Sequence, residues 1–115
     1  MHYAPGQEPC PLSFSPFKSC TVPRPIGWLS TISANGTLNL APYSKWQNLS
    51  FDLSLVMIAA NQLSNGERKH TVINAEDMVW FVWNMATYAL GDAGIFSAIE
   101  WPLGEDEFAR AGELL

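Results

Sequence analysis

The chain has 115 residues, of which 48% are hydrophobic and 15% charged, and a formal net charge of -5. That composition suits one small globular domain and excludes two domains, a disordered tail and a nucleic-acid binder built on clustered Lys and Arg. The apolar runs are too short to cross a bilayer, and the start MHYAPGQEPC lacks the basic and apolar blocks of a secretory signal, so a soluble cytoplasmic protein without a membrane partner is expected.

Residues 1–21 read as an extended, Pro-rich lead-in, since residues 4–25 hold six prolines, which disfavour helix and central strand alike. Residues 26–33 (IGWLSTIS) form the first predicted strand, rich in β-branched and aromatic side chains. Ala34-Asn35-Gly36-Thr37 is a turn, because both positions of an Asn-Gly pair tolerate positive φ. Residues 38–44 return as a second strand, with Pro42 marking an edge or a bulge. Residues 53–60 (LSLVMIAA) are apolar enough for a third strand buried on both sides. A polar loop over residues 61–68 repeats the Asn-Gly signal. A short helix follows over residues 71–77, with Val72 and Ile73 facing inward, and then a fourth strand over residues 79–84 (VWFVWN). Residues 87–99 are weakly helical because of Gly91 and Gly94, and a last short helix covers residues 105–114. This order is α+β or mainly β, with short helices between strands, and not a βαβ alternation.

Charge is unevenly distributed. Residues 1–70 hold five basic residues against three acidic ones, whereas residues 71–115 hold Arg110 against eight acidic ones. A site for a small anion is therefore expected from the first half alone. Asp106-Glu107 sits in an acidic run and reads as solvated surface. Metal-ligand spacing, a Gly-rich dinucleotide fingerprint, HExxH and GxSxG are all missing, so no catalytic side chain is assigned. An enzyme remains open, since a bound flavin carries hydride chemistry in its own ring.

Three stretches stand out: Val22-Pro-Arg-Pro-Ile-Gly-Trp-Leu-Ser-Thr31, Asn39-Leu-Ala-Pro-Tyr-Ser44 and Asn48-Leu-Ser-Phe-Asp52. They resemble the PRPIxWxST, NLAPYSxFN and S-x-DPP segments of the flavin reductase-like, FMN-binding split-barrel family. The resemblance continues through Lys69-His70-Thr71, Trp80-Phe-Val-Trp-Asn-Met-Ala-Thr87 and Pro102-Leu-Gly-Glu-Asp-Glu-Phe108, so it covers nearly all of the chain from Val22 onward. Departures are Lys45-Trp46-Gln47 for an aromatic pair, Asp52-Leu53-Ser54 without the prolines, and His70 for an acidic residue. The resemblance implies a split β-barrel domain over residues 22–115, incomplete because its closing strands are missing. It also implies FMN as cofactor, NAD(P)H as electron source and a homodimer.

The chemistry of FMN suits these residues. A phosphate needs hydroxyls, backbone N–H groups and a cation. Ser30, Thr31, Ser44, Lys69 and Thr71 offer them, and residues 69–71 would open a helix whose first amides favour an anion. The backbone around Ala41 offers polar groups to the ring edge, and Trp28, Tyr43 or Trp46 an apolar wall. Asn48, Asn84 and Thr87 complete the cofactor-binding set; as alternatives, Asn48 braces a turn, and Asn84 and Thr87 are structural. The expected function is an FMN-dependent oxidoreductase. The competing expectations are a flavin-binding or electron-carrier module without turnover, and an inactive interaction fragment.

Overall fold

The computed structural model describes residues 7–13 and 19–112. Pro5 and Pro16 of the expected lead-in, and the end of the last expected helix, lie outside the described residues.

The first hairpin joins β1 (Gly27–Ile32) to β2 (Leu38–Tyr43), in a register that pairs Ile32 with Leu38 and Gly27 with Tyr43. Its turn differs from the expected one. Only Gly36 takes positive φ (88°), while the Asn35 carboxamide oxygen accepts from the Ser33 hydroxyl (2.5 Å) and the Thr37 amide (3.2 Å). With Ser33 N donating to Thr37 O, the loop has three residues ending on a left-handed glycine, so Asn35 acts through its side chain. The second Asn-Gly repeats the arrangement: Gly66 has φ 86° and Leu63 N donates to Glu67 O.

β5 (Val82–Asn84) pairs antiparallel with the other side of β1, giving a sheet of order β2-β1-β5 with β2 at an edge, as Pro42 indicated. A separate two-stranded sheet joins β3 (Trp46–Ser50) to β4 (Leu55–Ile58), with a register shift between Asn48 and Ser50. These small antiparallel sheets with interspersed helices do not close into a full barrel.

Alternation along β1 sends Leu29 and Thr31 to one face and Trp28 to the other. On the first face Leu29 packs with Tyr43 and Trp46, and Ala41, Val56 and Ile58 lie against them. Gly27 is essential to this layer. A Cβ there would meet Cδ2 of Trp46 at 2.6 Å, so only glycine lets that indole lie over β1 and stack on Trp83 (5.4 Å between centroids). On the opposite face Trp28 and Leu40 pack with Ala93 of α2 (Gly91–Phe96) and Ala111 of α3 (Glu107–Gly112). The Trp28 indole N–H donates to Ser97 Oγ at 2.9 Å.

Several expectations need correction. β3 was not anticipated, since its Gln47 and Asn48 carry no strand pattern. β4 is not buried on both faces: Val56 and Ile58 pack on the core, while Leu55 and Met57 are each 49% exposed. Helix α1 (His70–Met78) forms, but Thr71 and Asn74 are its buried residues while Val72 and Ile73 are half-buried. The sheet end that α1 covers is polar: Asn74 Nδ2 donates to Thr31 Oγ1 at 3.1 Å. Val79 ends α1 in a left-handed turn (φ 60°), which shortens the expected strand to Val82–Asn84. The expected helix over residues 87–99 divides into a 3-10 turn (Tyr88–Leu90) and α2.

Candidate functional site

A cleft of about 180 Å³ opens along the free edge of β2. Its floor is Asn39, Ala41 and Tyr43; one wall is Lys69, His70 and Thr71 at the start of α1. The other wall is residues 97–101 together with Glu107 of α3, and Ser44, Lys45 and Asn61 stand at the rim. No side chain caps the first turn of α1, and Lys69 occupies its N-cap position. The amide dipoles of that turn therefore add positive potential to the ammonium. Lys69 Nζ lies 3.5 Å from Glu100 Oε1, a partly exposed pair. Glu100 is also held by the Ser64 hydroxyl (2.7 Å), whose hydrogen bonds push its pKa down.

Beneath the cleft lies a buried polar chain. Glu107, 6% exposed, accepts from the Leu40 amide at 2.5 Å, a donor that the edge strand leaves without a strand partner. Asn39 satisfies both ends of its carboxamide when Nδ2 faces Glu107 Oε2 (3.2 Å) and Oδ1 accepts from Thr71 Oγ1 (2.9 Å). Burial raises the Glu107 pKa to about 7; the Leu40 amide opposes the rise, the Asp106 charge adds to it and Lys69 opposes it. The Tyr43 hydroxyl, on a side chain 5% exposed, has no partner within hydrogen-bond geometry among the described residues. Its pKa is raised, first by burial; the nearby Thr71 hydroxyl pulls the other way and the Glu107 charge adds to the rise. Thr71 Oγ1 donates to Asn39 and lies outside hydrogen-bond geometry to Tyr43. Trp101 Nε1, on the opposite wall, is likewise buried without a partner.

Of the ten cofactor residues expected from sequence, Ala41, Tyr43, Ser44, Lys69 and Thr71 meet at this cleft. The other five lie elsewhere. Ser30 accepts from Asn84 Nδ2 (3.0 Å) across β1 and β5. Thr31 is buried against Asn74. Asn48 is exposed on β3 opposite Val56, and Thr87 is exposed before the 3-10 turn. Trp28 and Trp46 are core side chains and form no open ring wall. Sequence reasoning missed Asn39, Trp101 and Glu107. Glu107 was read as surface within its acidic run; the one hint was its spacing of four residues from Ala111, the other buried residue of α3. Nor is the cleft built by the basic half alone, because Glu100 and Glu107 come from the acidic half.

No family model matches the chain. It is 37% identical over 91 residues to a protein of Aquifex aeolicus, covering 79% of this chain and 46% of that one. It is 35% identical over 69 residues to YwrF of Bacillus subtilis, covering 60% and 33%. The chain thus spans less than half the length of these relatives. Among solved structures, nitrilotriacetate monooxygenase component B from Bacillus cereus superposes with a TM-score of 0.76 at 26% identity, over 91% of this chain and 57% of the other. The Pseudomonas fluorescens 2-nitrobenzoate 2-nitroreductase NbaA shares the fold, with a TM-score of 0.76 at 21% identity over 97% and 52%.

The chain shares the fold of these two proteins, a likeness that supports its placement beside the flavin reductase-like split-barrel proteins. The β1–β2 hairpin, the α1 N-terminus and the α3 buttress meet at one cleft. Its arrangement can hold an anionic group: Lys69 with Lys45 at the rim, a helix start without a side-chain cap, the Ser44 hydroxyl and two buried donors without a partner among the described residues.

Proposed function

We propose that the chain binds FMN through this cleft and works as an oxidoreductase, taking electrons from a reduced nicotinamide and passing them to an acceptor. The observation that carries this reading is the convergence of Lys69, Thr71 and the uncapped start of α1 with the unpartnered Tyr43 hydroxyl. An orphaned buried hydroxyl costs about 1–3 kcal/mol, so a native protein retains it where a ligand satisfies it. The donor set suits a phosphate-bearing tail. Lys69 and the first amides of α1 would hold the phosphate; Ser44, Thr71 and Tyr43 would hold its oxygens or the adjoining hydroxyls. When bound, FMN supplies two-electron hydride chemistry through its ring. The protein's part is to orient the cofactor and keep its tail out of bulk water.

A cleft of about 180 Å³ is smaller than the roughly 300–1,000 Å³ of a whole cofactor site. The ring then needs walls beyond it, supplied by the rest of the family's fold or by a second subunit. Exposed apolar side chains such as Phe51, Leu53, Trp80 and Tyr88 favour such an association, with a homodimer as its simplest form. The likeness to a monooxygenase component supports a separate protein as acceptor. The small cleft also favours a second reading, a flavin-binding module without turnover of its own.

Titrating the purified chain with FMN and following flavin absorbance and fluorescence tests the first step. A chain that never retains or binds flavin sinks both readings. If flavin binds, anaerobic addition of NADH or NADPH bleaches the yellow spectrum of an oxidoreductase; persistent colour decides for the module.

A further inference from the structure

The cleft carries a carboxylate where an anion site has no evident use for one. Glu107 reaches it from α3, lies against Asn39, Thr71 and Tyr43, and is tied to the β2 edge through the Leu40 amide. We propose that Glu107 determines the specificity of this site, setting its preference between phosphorylated flavin and the same flavin without phosphate. The inference rests on the flavin reading above.

The groups facing Glu107 come from each element packed against it. Asp106 on its own helix approach and Lys69 at the start of α1 act on its charge, and Tyr43 and Asn39 on β2, Lys45 at the rim, His70 and Thr71 on α1 and Glu100 on the same wall share the cleft with it. Lys69 is the cation among them that attracts both a ligand phosphate and the Glu107 carboxylate. With Glu107 neutral, Lys69 is shared only with the partly exposed Glu100, and a phosphate is accepted. With Glu107 charged, the cleft presents a second carboxylate beside Glu100, and a phosphate is repelled at short range through a partly dry medium. Riboflavin carries no phosphate and is indifferent to that charge. The carboxyl changes charge near neutrality because burial raises its pKa to about 7. The preference therefore varies with pH.

The test compares FMN with riboflavin binding by fluorescence, at about pH 6 and about pH 8, in the native chain and in Glu107→Gln. In the native chain the FMN-to-riboflavin affinity ratio falls about tenfold over that interval, the size expected for one like charge in a shared cleft. In Glu107→Gln the ratio stays level or rises, because a phosphate becomes more fully charged over the same interval. His70 lines the same cleft and serves as the control. His70→Gln must keep the native fall; a fall that vanishes in His70→Gln and persists in Glu107→Gln overturns the inference. Should Glu107→Gln fold poorly, the native ratio alone decides, and a ratio independent of pH refutes the role. Binding of neither flavin at either pH overturns the flavin reading and this inference together. Binding of both with a level ratio overturns this inference alone.

Discussion

Glu107→Gln isolates the cost of holding a carboxylate beneath the cleft. Glutamine keeps an acceptor for the Leu40 amide, whose bond to Glu107 is 2.5 Å, and removes the ionisable charge while exchanging the other oxygen for an amide donor. The folded carboxyl has its pKa raised from 4.5 to about 7, so the folded state holds this proton more tightly than the unfolded chain does. Stability is therefore fully present below about pH 4.5 and is lost as pH rises towards about 7, beyond which the loss is complete. Taken whole, the shift is worth about 3 kcal/mol. The cleft is open to solvent on the side of this group, and screening reduces the effective loss to about 1–2 kcal/mol. For a domain of this size that is a melting-temperature difference of about 4–8 °C or more. Thermal melts at about pH 5 and about pH 8 measure it, with the variant melt subtracted to remove the contribution of the other acidic groups. The expected result is a native chain that loses several degrees more than Glu107→Gln between those conditions. Equal losses in both proteins, or a native chain stabilised by the higher pH, would refute the buried-carboxyl argument.

Three further outcomes are expected. Lys69→Ala combined with Thr71→Ala weakens FMN by about tenfold or more and riboflavin far less, because only FMN carries the phosphate; equal losses for both ligands contradict the phosphate role. Tyr43→Phe removes a buried hydroxyl without a partner among the described residues, so urea unfolding shows unchanged or increased stability while FMN binding weakens about fivefold. A stability loss above about 1 kcal/mol would mean that the hydroxyl is satisfied within the fold. Gly27→Ala drives a methyl into the Trp46 ring, which is pinned between β1 and Trp83, and destabilises the chain by about 1–3 kcal/mol in the same assay. An unchanged midpoint would show that Trp46 can move aside.

Local signals in the sequence were enough for the first hairpin, the helix after Lys69 and the glycine turns, because each rests on backbone preferences of neighbouring residues. Gly36 and Gly66 take the left-handed positions that their turns demand, and Pro42 sits on an edge strand. The family resemblance also pointed to Ala41, Tyr43, Ser44, Lys69 and Thr71, which do line one cleft. What it could not separate was residues that share a motif from residues that share a cavity. Ser30 and Thr31 are neighbours in the motif, yet strand alternation turns them to opposite faces, one towards Asn84 and the other towards Asn74. Trp28 and Trp46 look like ring walls in sequence and are consumed by two cores on opposite sides of β1. Glu107 shows the limit most clearly. In sequence it is one of three consecutive acids; in three dimensions the docking of α3 on the β2 edge buries it, gives it the Leu40 amide and brings it to a cleft 38 residues away from Lys69 along the chain. Charge and hydroxyl content are properties of residues, and the sequence determined them. Burial, and with it which charges meet a ligand, depends on contacts between distant segments, and those only the tertiary structure decided.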